Sequence, residues 1–232
     1  MASVFKVAAY IYPHSDILDF SGPLEIYNCA PPPNNPHRFE TTTFAHHNPV
    51  QAATKSTTYV PSASFAEVER DLESYDILVI PGAWPEAIVK LLDLDEGKQL
   101  LALIRRFAQL KPRAETGARV LQSVCSGSLI LAAAGVLAGR KVTTHHLCFG
   151  ELKEMADKAA GGDAGMEILK KKRWVDGGKT EAGVRIINAG GVTSGIDASL
   201  FVVEELAGKA YSDFTADIVE FERRGQNDGW DA

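Results

Sequence analysis

Cys125 is the residue whose setting most invites chemistry. The segment Val120-Leu-Gln-Ser-Val-Cys125-Ser126-Gly127-Ser128 runs from an apolar strand, through a turn of small residues, into an Ala/Leu-rich helix. That is the strand-turn-helix context of a nucleophile elbow, which lifts a side chain out at the carboxyl end of a sheet. A cysteine at a helix N-terminus also gains from the helix dipole, so a thiol pKa below the free value of ~8.5 is expected here. The bland alternative is a small buried hydrophobe, a common fate of a free cysteine. Cys29 and Cys148 read as structural: one ends a helix before the Pro-rich loop 31–36, the other lies in a Leu-Cys-Phe run that packs.

Three further segments could supply partners. Asp16-Ile-Leu-Asp19-Phe-Ser21-Gly22-Pro23 lies past the carboxyl end of the first strand. A carboxyl group desolvated between Leu18 and Phe20 would have a raised pKa and could exchange a proton with a thiol or a substrate. Asp16 reads as a solvated or capping residue, Asp19 equally as a brace or an acid/base, and Ser21 as an N-cap before Gly22-Pro23. Ile80-Pro81-Gly82-Ala83-Trp84-Pro85 ends another strand at the same edge. Gly82, Ala83 and Trp84 are therefore candidate substrate-binding residues, with amides after Gly82 joining that of Ser126 around an oxyanion and Trp84 as a pocket wall. A plain βα turn is the alternative. His145 and His146 follow the elbow helix, where either a cysteine-histidine pair or strand-end packing is open. His46 and His47 read as solvated. Metal-ligand spacings are absent, so no metal site is expected. The late run Asn188-Ala-Gly190-Gly191-Val-Thr193-Ser194-Gly195-Ile-Asp197 lacks the Lys-Ser/Thr and glycine spacing of nucleotide-binding loops.

These segments need a scaffold. Short β-branched runs at 7–12, 39–44, 77–80, 120–124 and 184–188 alternate with amphipathic stretches at 24–29, 85–92, 97–110, 127–137, 149–160, 198–207 and 215–224. Such alternation predicts an α/β fold around a mostly parallel sheet. Without an internal repeat or a linker-like composition shift, residues 1–232 read as one domain. The 232 residues, 45% hydrophobic and 23% charged, exclude disorder and low-complexity function. A net charge of −6 gives nucleic-acid binding no support and favours a small-molecule substrate or a protein partner. Three scattered cysteines exclude a disulfide framework. With neither a secretory-signal pattern nor an apolar run of ~18 to 20 residues, a cytoplasmic protein without membrane contact is expected.

Taken together, L-D-F-S-G-P, I-P-G, S-V-C-S-G-S-L-I-L-A-A-A-G and N-A-G-G-V-T-S-G-I-D resemble the ThiJ/PfpI superfamily (class I glutamine amidotransferase-like), in the expected order from Asp16 to Leu206. Within it the chain is most similar to the isonitrile hydratases. The resemblance implies a flavodoxin-like three-layer sandwich, no cofactor, a homodimer, Cys125 as nucleophile, Asp19 as acid/base and Ser126 beside the nucleophile, where that branch usually has Thr. The PfpI-type peptidases carry His after the cysteine, and Ser126 departs from that. The resemblance thus implies a cysteine-dependent lyase converting an isonitrile to the N-substituted formamide. Two alternatives stay open: a cofactor-independent glyoxalase or deglycase, whose relatives usually have Glu in place of Asp19, and a non-catalytic redox-sensing protein.

Overall fold

The computed structural model describes residues 3–54 and 56–230. In chain order the elements are β1 (Val4–Tyr10), α1 (Ile17–Asn28), β2 (Arg38–Ala45), β3 (Val50–Gln51), β4 (Thr58–Tyr59), β5 (Ala63–Ser64), α2 (Phe65–Arg70) and β6 (Ile77–Ile80). There follow α3 (Pro85–Asp93), α4 (Asp95–Gln109), β7 (Val120–Ser123), α5 (Gly127–Ala133), β8 (Lys141–Val142) and α6 (Phe149–Ala160). The last are β9 (Glu167–Ile168), β10 (Trp174–Lys179), β11 (Arg185–Ala189), α7 (Ser194–Ala207) and α8 (Lys209–Ile218).

Seven strands make one sheet in the order β10-β11-β7-β6-β1-β2-β5. Every pairing is parallel except β10 with β11. Period-two alternation sorts its side chains between two cores. Ala8, Tyr10, Leu78, Ile80 and Leu121 face one cluster with residues of α3 to α6. Val7, Ala9, Ile77, Val79 and Val120 face the other, with residues of α1, α7 and α8. Because both faces are covered, β6 and β7 are buried at every position, as central parallel strands require. The result is the expected flavodoxin-like three-layer sandwich. No helix among the described residues is long and apolar enough to cross a membrane.

The topology fixes where a site can form. From β1 the chain moves outward to β2 and then returns to β6 on the other flank. Adjacent strands whose connections leave in opposite directions open a crevice at their carboxyl ends, the usual ligand position in such sheets. Register brings Ala9 beside Val79, Ile80 beside Ser123 and Ser123 beside Asn188, so the segments after β1, β6, β7 and β11 emerge at one edge.

Three local expectations are corrected. Helix α1 starts at Ile17 rather than after Ser21: the N-cap is Asp16, whose carboxylate accepts from the Leu18 amide at 3.0 Å. The Asp16 amide donates to the Gly82 carbonyl at 2.8 Å, which pins the cap before the helix begins. Ser21 lies inside the helix, its hydroxyl donating to the Ile17 carbonyl at 2.8 Å. The helix expected at 215–224 is instead α8, which starts at residue 209 because Gly208, at φ +92°, ends α7. Residues past α8 fold back on the body, where the Arg224 amide donates to Asp197 Oδ1 at 2.8 Å.

Candidate active site

Cys125 lies two residues past the end of β7 and two before the start of α5, with φ +56°. That left-handed conformation is costly for a residue with a Cβ and persists only where surroundings impose it. Here they do. The Cys125 amide donates to the Gly190 carbonyl at 2.8 Å. Its carbonyl accepts from Thr144 Oγ1 at 3.0 Å and Ser128 Oγ at 3.3 Å. Gly127 leaves room for the turn after β6, since a Cβ there would run into the Ile80 carbonyl oxygen.

Asp19 lies in the first turn of α1 and is fully buried. Its Oδ2 accepts from the Gly82 amide at 2.9 Å. Oδ1 makes no hydrogen bond of ordinary geometry, although the Cys125 thiol still acts on the carboxyl as a weak donor. Burial pushes the Asp19 carboxyl well above the ordinary carboxylate range, and the charge of Asp16 adds to this; the Gly82 amide and the thiol oppose it without prevailing. The Cys125 thiol is raised as well, first by burial and then by Asp19. The low thiol pKa expected from the helix dipole is therefore corrected. The Ser126 amide and hydroxyl act to lower it, and loss of solvent outweighs them.

Ser126 closes the arrangement onto the turn after β6. Its Oγ donates to the Ala83 carbonyl at 2.5 Å and accepts from the Ala83 amide at 3.0 Å. With the Gly82 amide on Asp19 and the Ala83 amide on Ser126, neither is free to meet an oxyanion, contrary to the sequence expectation. Of that expected set, the Ser126 amide is directed at the Cys125 sulfur.

A cavity of about 310 Å³ opens over Cys125, with Ser126, Ala83, Trp84, His145 and Cys148 in its walls. Trp84 stands at the rim, 72% exposed. Gly82 and Asp19 do not line the cavity; they sit beneath it, so Gly82 shapes the site rather than contacting its contents. Asp16, Glu86 and Glu151 also line it, and among the described residues no Lys or Arg does. Ala53, Pro85, Leu147 and Val192 complete the walls, so these carboxylates are set in a largely apolar lining.

Cys148, read as structural, and His145, whose role was left open, both belong to the site. Cys148 lines the same cavity, its thiol pushed up to about 11 by burial and by Glu151 and Glu86. Burial lowers the His145 pKa and His146 adds to this, against Asp16, so the imidazole is neutral at pH 7. Thr144 and Gly190 hold the elbow by its peptide groups, a role no motif announces. Tyr12, buried beside Asp19, donates to the Pro81 carbonyl at 3.1 Å. His46, expected in solvent, stacks on Phe65 at 3.9 Å and pairs with the Tyr10 hydroxyl at 2.9 Å. No group of three His, Cys, Asp or Glu among the described residues could hold a metal ion.

The sequence profile of the DJ-1/PfpI family matches residues 6–178, which include Asp19, the turn after β6, the elbow and His145. The chain belongs to that family. As a DJ-1/PfpI protein it is 32% identical over 138 residues to an isonitrile hydratase of Pseudomonas putida, an alignment covering 60% of this chain and 48% of that one. This chain thus matches about half that relative's length. A ThiJ/PfpI family protein from Pseudomonas syringae superposes with a TM-score of 0.67 at 27% identity, covering 95% of this chain and 76% of the other. Drosophila melanogaster DJ-1beta superposes at 0.69 and 18% identity, covering 94% and 99% respectively, and supports the fold alone.

Proposed function

We propose that this DJ-1/PfpI protein is a cysteine-dependent hydro-lyase that adds water to an isonitrile, R–N≡C, and releases the N-substituted formamide. The observation that carries the reading is the Cys125 thiol at the floor of a cavity, on a strained elbow, over a buried carboxyl group with a raised pKa. Similarity to the P. putida isonitrile hydratase supports the substrate class. The substrate would be a small molecule, and neither cofactor nor metal enters the steps.

An isonitrile carbon suits a protonated thiol-carboxyl pair, because it must gain both a nucleophile and a proton. Cys125 Sγ forms a bond to the terminal carbon, the thiol proton passes to Asp19, and a proton from Asp19 passes to that carbon. Asp19 ends as it began and the product is the thioimidate, Cys125–S–CH=N–R. Water then adds to this carbon, one of its protons reaching nitrogen through Asp19. Collapse of the tetrahedral adduct breaks the C–S bond, returns the hydroxyl proton to sulfur and frees HC(O)–NH–R. Ser126 keeps its hydroxyl on Ala83 and directs its amide toward the sulfur, steadying charge that develops there.

Burial and a raised pKa argue against the redox-sensor alternative, since oxidation sensors are accessible thiols of low pKa. The test is hydration of cyclohexyl isocyanide followed by formamide production. Wild type is expected to turn over and Cys125→Ala to fall to background. Equal rates in the two proteins, or lactate formation from methylglyoxal well above isonitrile hydration, would overturn the reading.

A further inference from the structure

The cavity over Cys125 has a charge asymmetry that the hydration chemistry does not use. Asp16, Glu86 and Glu151 come to it from three different parts of the fold, the loop before α1, α3 and α6. Their fields reach groups at the cavity. Asp16 acts on His145, and Glu151 and Glu86 act on Cys148. Glu86 and Glu151 form no ion pair with a described cation, and of the two imidazoles that line the cavity, His14 and His145, the latter is neutral at pH 7. The indole of Trp84, 72% exposed at the mouth, adds an aromatic face of the kind that attracts ammonium groups.

From this convergence we propose that the cavity selects substrates whose end remote from the reacting carbon is a cation, a primary or quaternary ammonium, with Glu86, Glu151 and Trp84 as the residues that recognise it. The proposal rests on the isonitrile reading for the identity of the reacting group, but not for the charge preference itself. A cleft that faces a ligand with carboxylates of one sign and an aromatic ring attracts cations and repels anions, and does so even though Glu86 and Trp84 stand exposed at its mouth. The reacting end stays uncharged and meets the thiol, while the cationic end stays near the mouth.

Two measurements separate the charge preference from the reaction. The first is the initial rate at which methanethiosulfonates carrying 2-aminoethyl, 2-trimethylammonioethyl or 2-sulfonatoethyl groups modify Cys125, read by peptide mass and normalised to their rates with glutathione. The ammonium reagents are expected to react at least about tenfold faster than the sulfonate, and the Glu86→Gln/Glu151→Gln variant to bring the ratio near one. Equal normalised rates in wild type, or a ratio unchanged in the variant, overturn the proposal. The second compares kcat/KM for an ammonioethyl isocyanide with that for cyclohexyl isocyanide, where at least about a tenfold preference for the cation is expected. Hydration of both at equal efficiency defeats the proposal and leaves the hydratase reading standing. Hydration of neither defeats that reading, and the modification ratio still decides the preference.

Discussion

The Gly82 amide donates to Asp19 Oδ2 at 2.9 Å, and there is no room for a side chain between them. A Cβ on Gly82 would lie 2.9 Å from that oxygen, 2.5 Å from Ser126 Oγ and 2.7 Å from the Ser126 amide nitrogen. One missing methyl group thus lets the turn after β6, the acid and the elbow share a single point. Gly82→Ala is expected to cost about 1 to 3 kcal/mol of stability by overpacking. Displacing Asp19 and Ser126 together should also lower kcat/KM for isonitrile hydration at least about a hundredfold, the scale of losing a positioned acid/base group. Thermal melts alongside initial rates check both; a variant with wild-type kcat/KM would show that this contact does not position the acid.

Asp19 makes a pH-dependent prediction with a definite sign. Its folded-state pKa is raised above the ordinary 3.8, so the folded protein binds a proton that the unfolded chain releases. That contribution to stability is complete below pH 3.8 and declines as pH rises through the folded value. Asn keeps a neutral acceptor for the Gly82 amide without this penalty. Asp19→Asn should therefore gain on wild type as pH increases from 4 to 8, and lose roughly a hundredfold or more in kcat. Melting temperatures of the two proteins across that range are the check, and parallel curves would mean that the carboxyl is not held protonated.

Thr144 should act on the reaction only through the elbow. Its hydroxyl is one of two that hold the Cys125 carbonyl, the other being Ser128 at the longer distance of 3.3 Å. Thr144→Val is expected to cost about 1 kcal/mol, the net value of one hydrogen bond. The strained φ of Cys125 would then be less constrained, lowering kcat about tenfold with KM unchanged, while Thr144→Ser restores it. A change confined to KM would place Thr144 in substrate binding instead.

How much of this was legible in the sequence follows from what each residue has to do locally. The central strands announce themselves because burial on both faces demands β-branched runs; 77–80 coincides with β6, and 120–124 overshoots β7 by one residue. Strand β10 gave no such signal. It is the antiparallel edge, and its ladder shifts register between Asp176 and Lys179 across Gly177 and Gly178. The elbow was readable because a strand, small residues and a helix follow one another along the chain. The thiol's raised pKa was not, since it depends first on burial in the tertiary fold and then on Asp19, 106 residues away in sequence and brought close only by the β1-β6-β7 order. The acidic lining was hidden for the same reason: Asp16, Glu86 and Glu151 each sit in unremarkable local sequence.

The elbow also depends on an ion pair it does not touch. Arg173 Nε donates to Asp197 Oδ2 at 2.7 Å, with both side chains nearly out of solvent, and its guanidinium reaches Thr193 Oγ1 at 2.9 Å. The Arg173 carbonyl accepts from the Gly190 amide at 2.9 Å, and the Gly190 carbonyl in turn holds the Cys125 amide. Arg173→Met should leave Asp197 buried without its counter-charge and cost about 3 to 5 kcal/mol, far more than the ~0 to 1 kcal/mol of an exposed pair such as Arg38–Glu40. Arg173→Met/Asp197→Leu removes both charges and should recover part of that loss, the remainder reflecting the Arg224 amide that also uses Asp197. Denaturant unfolding of the two variants decides the matter: a double variant no more stable than the single one would mean that the cost lies in packing around the guanidinium rather than in an uncompensated charge.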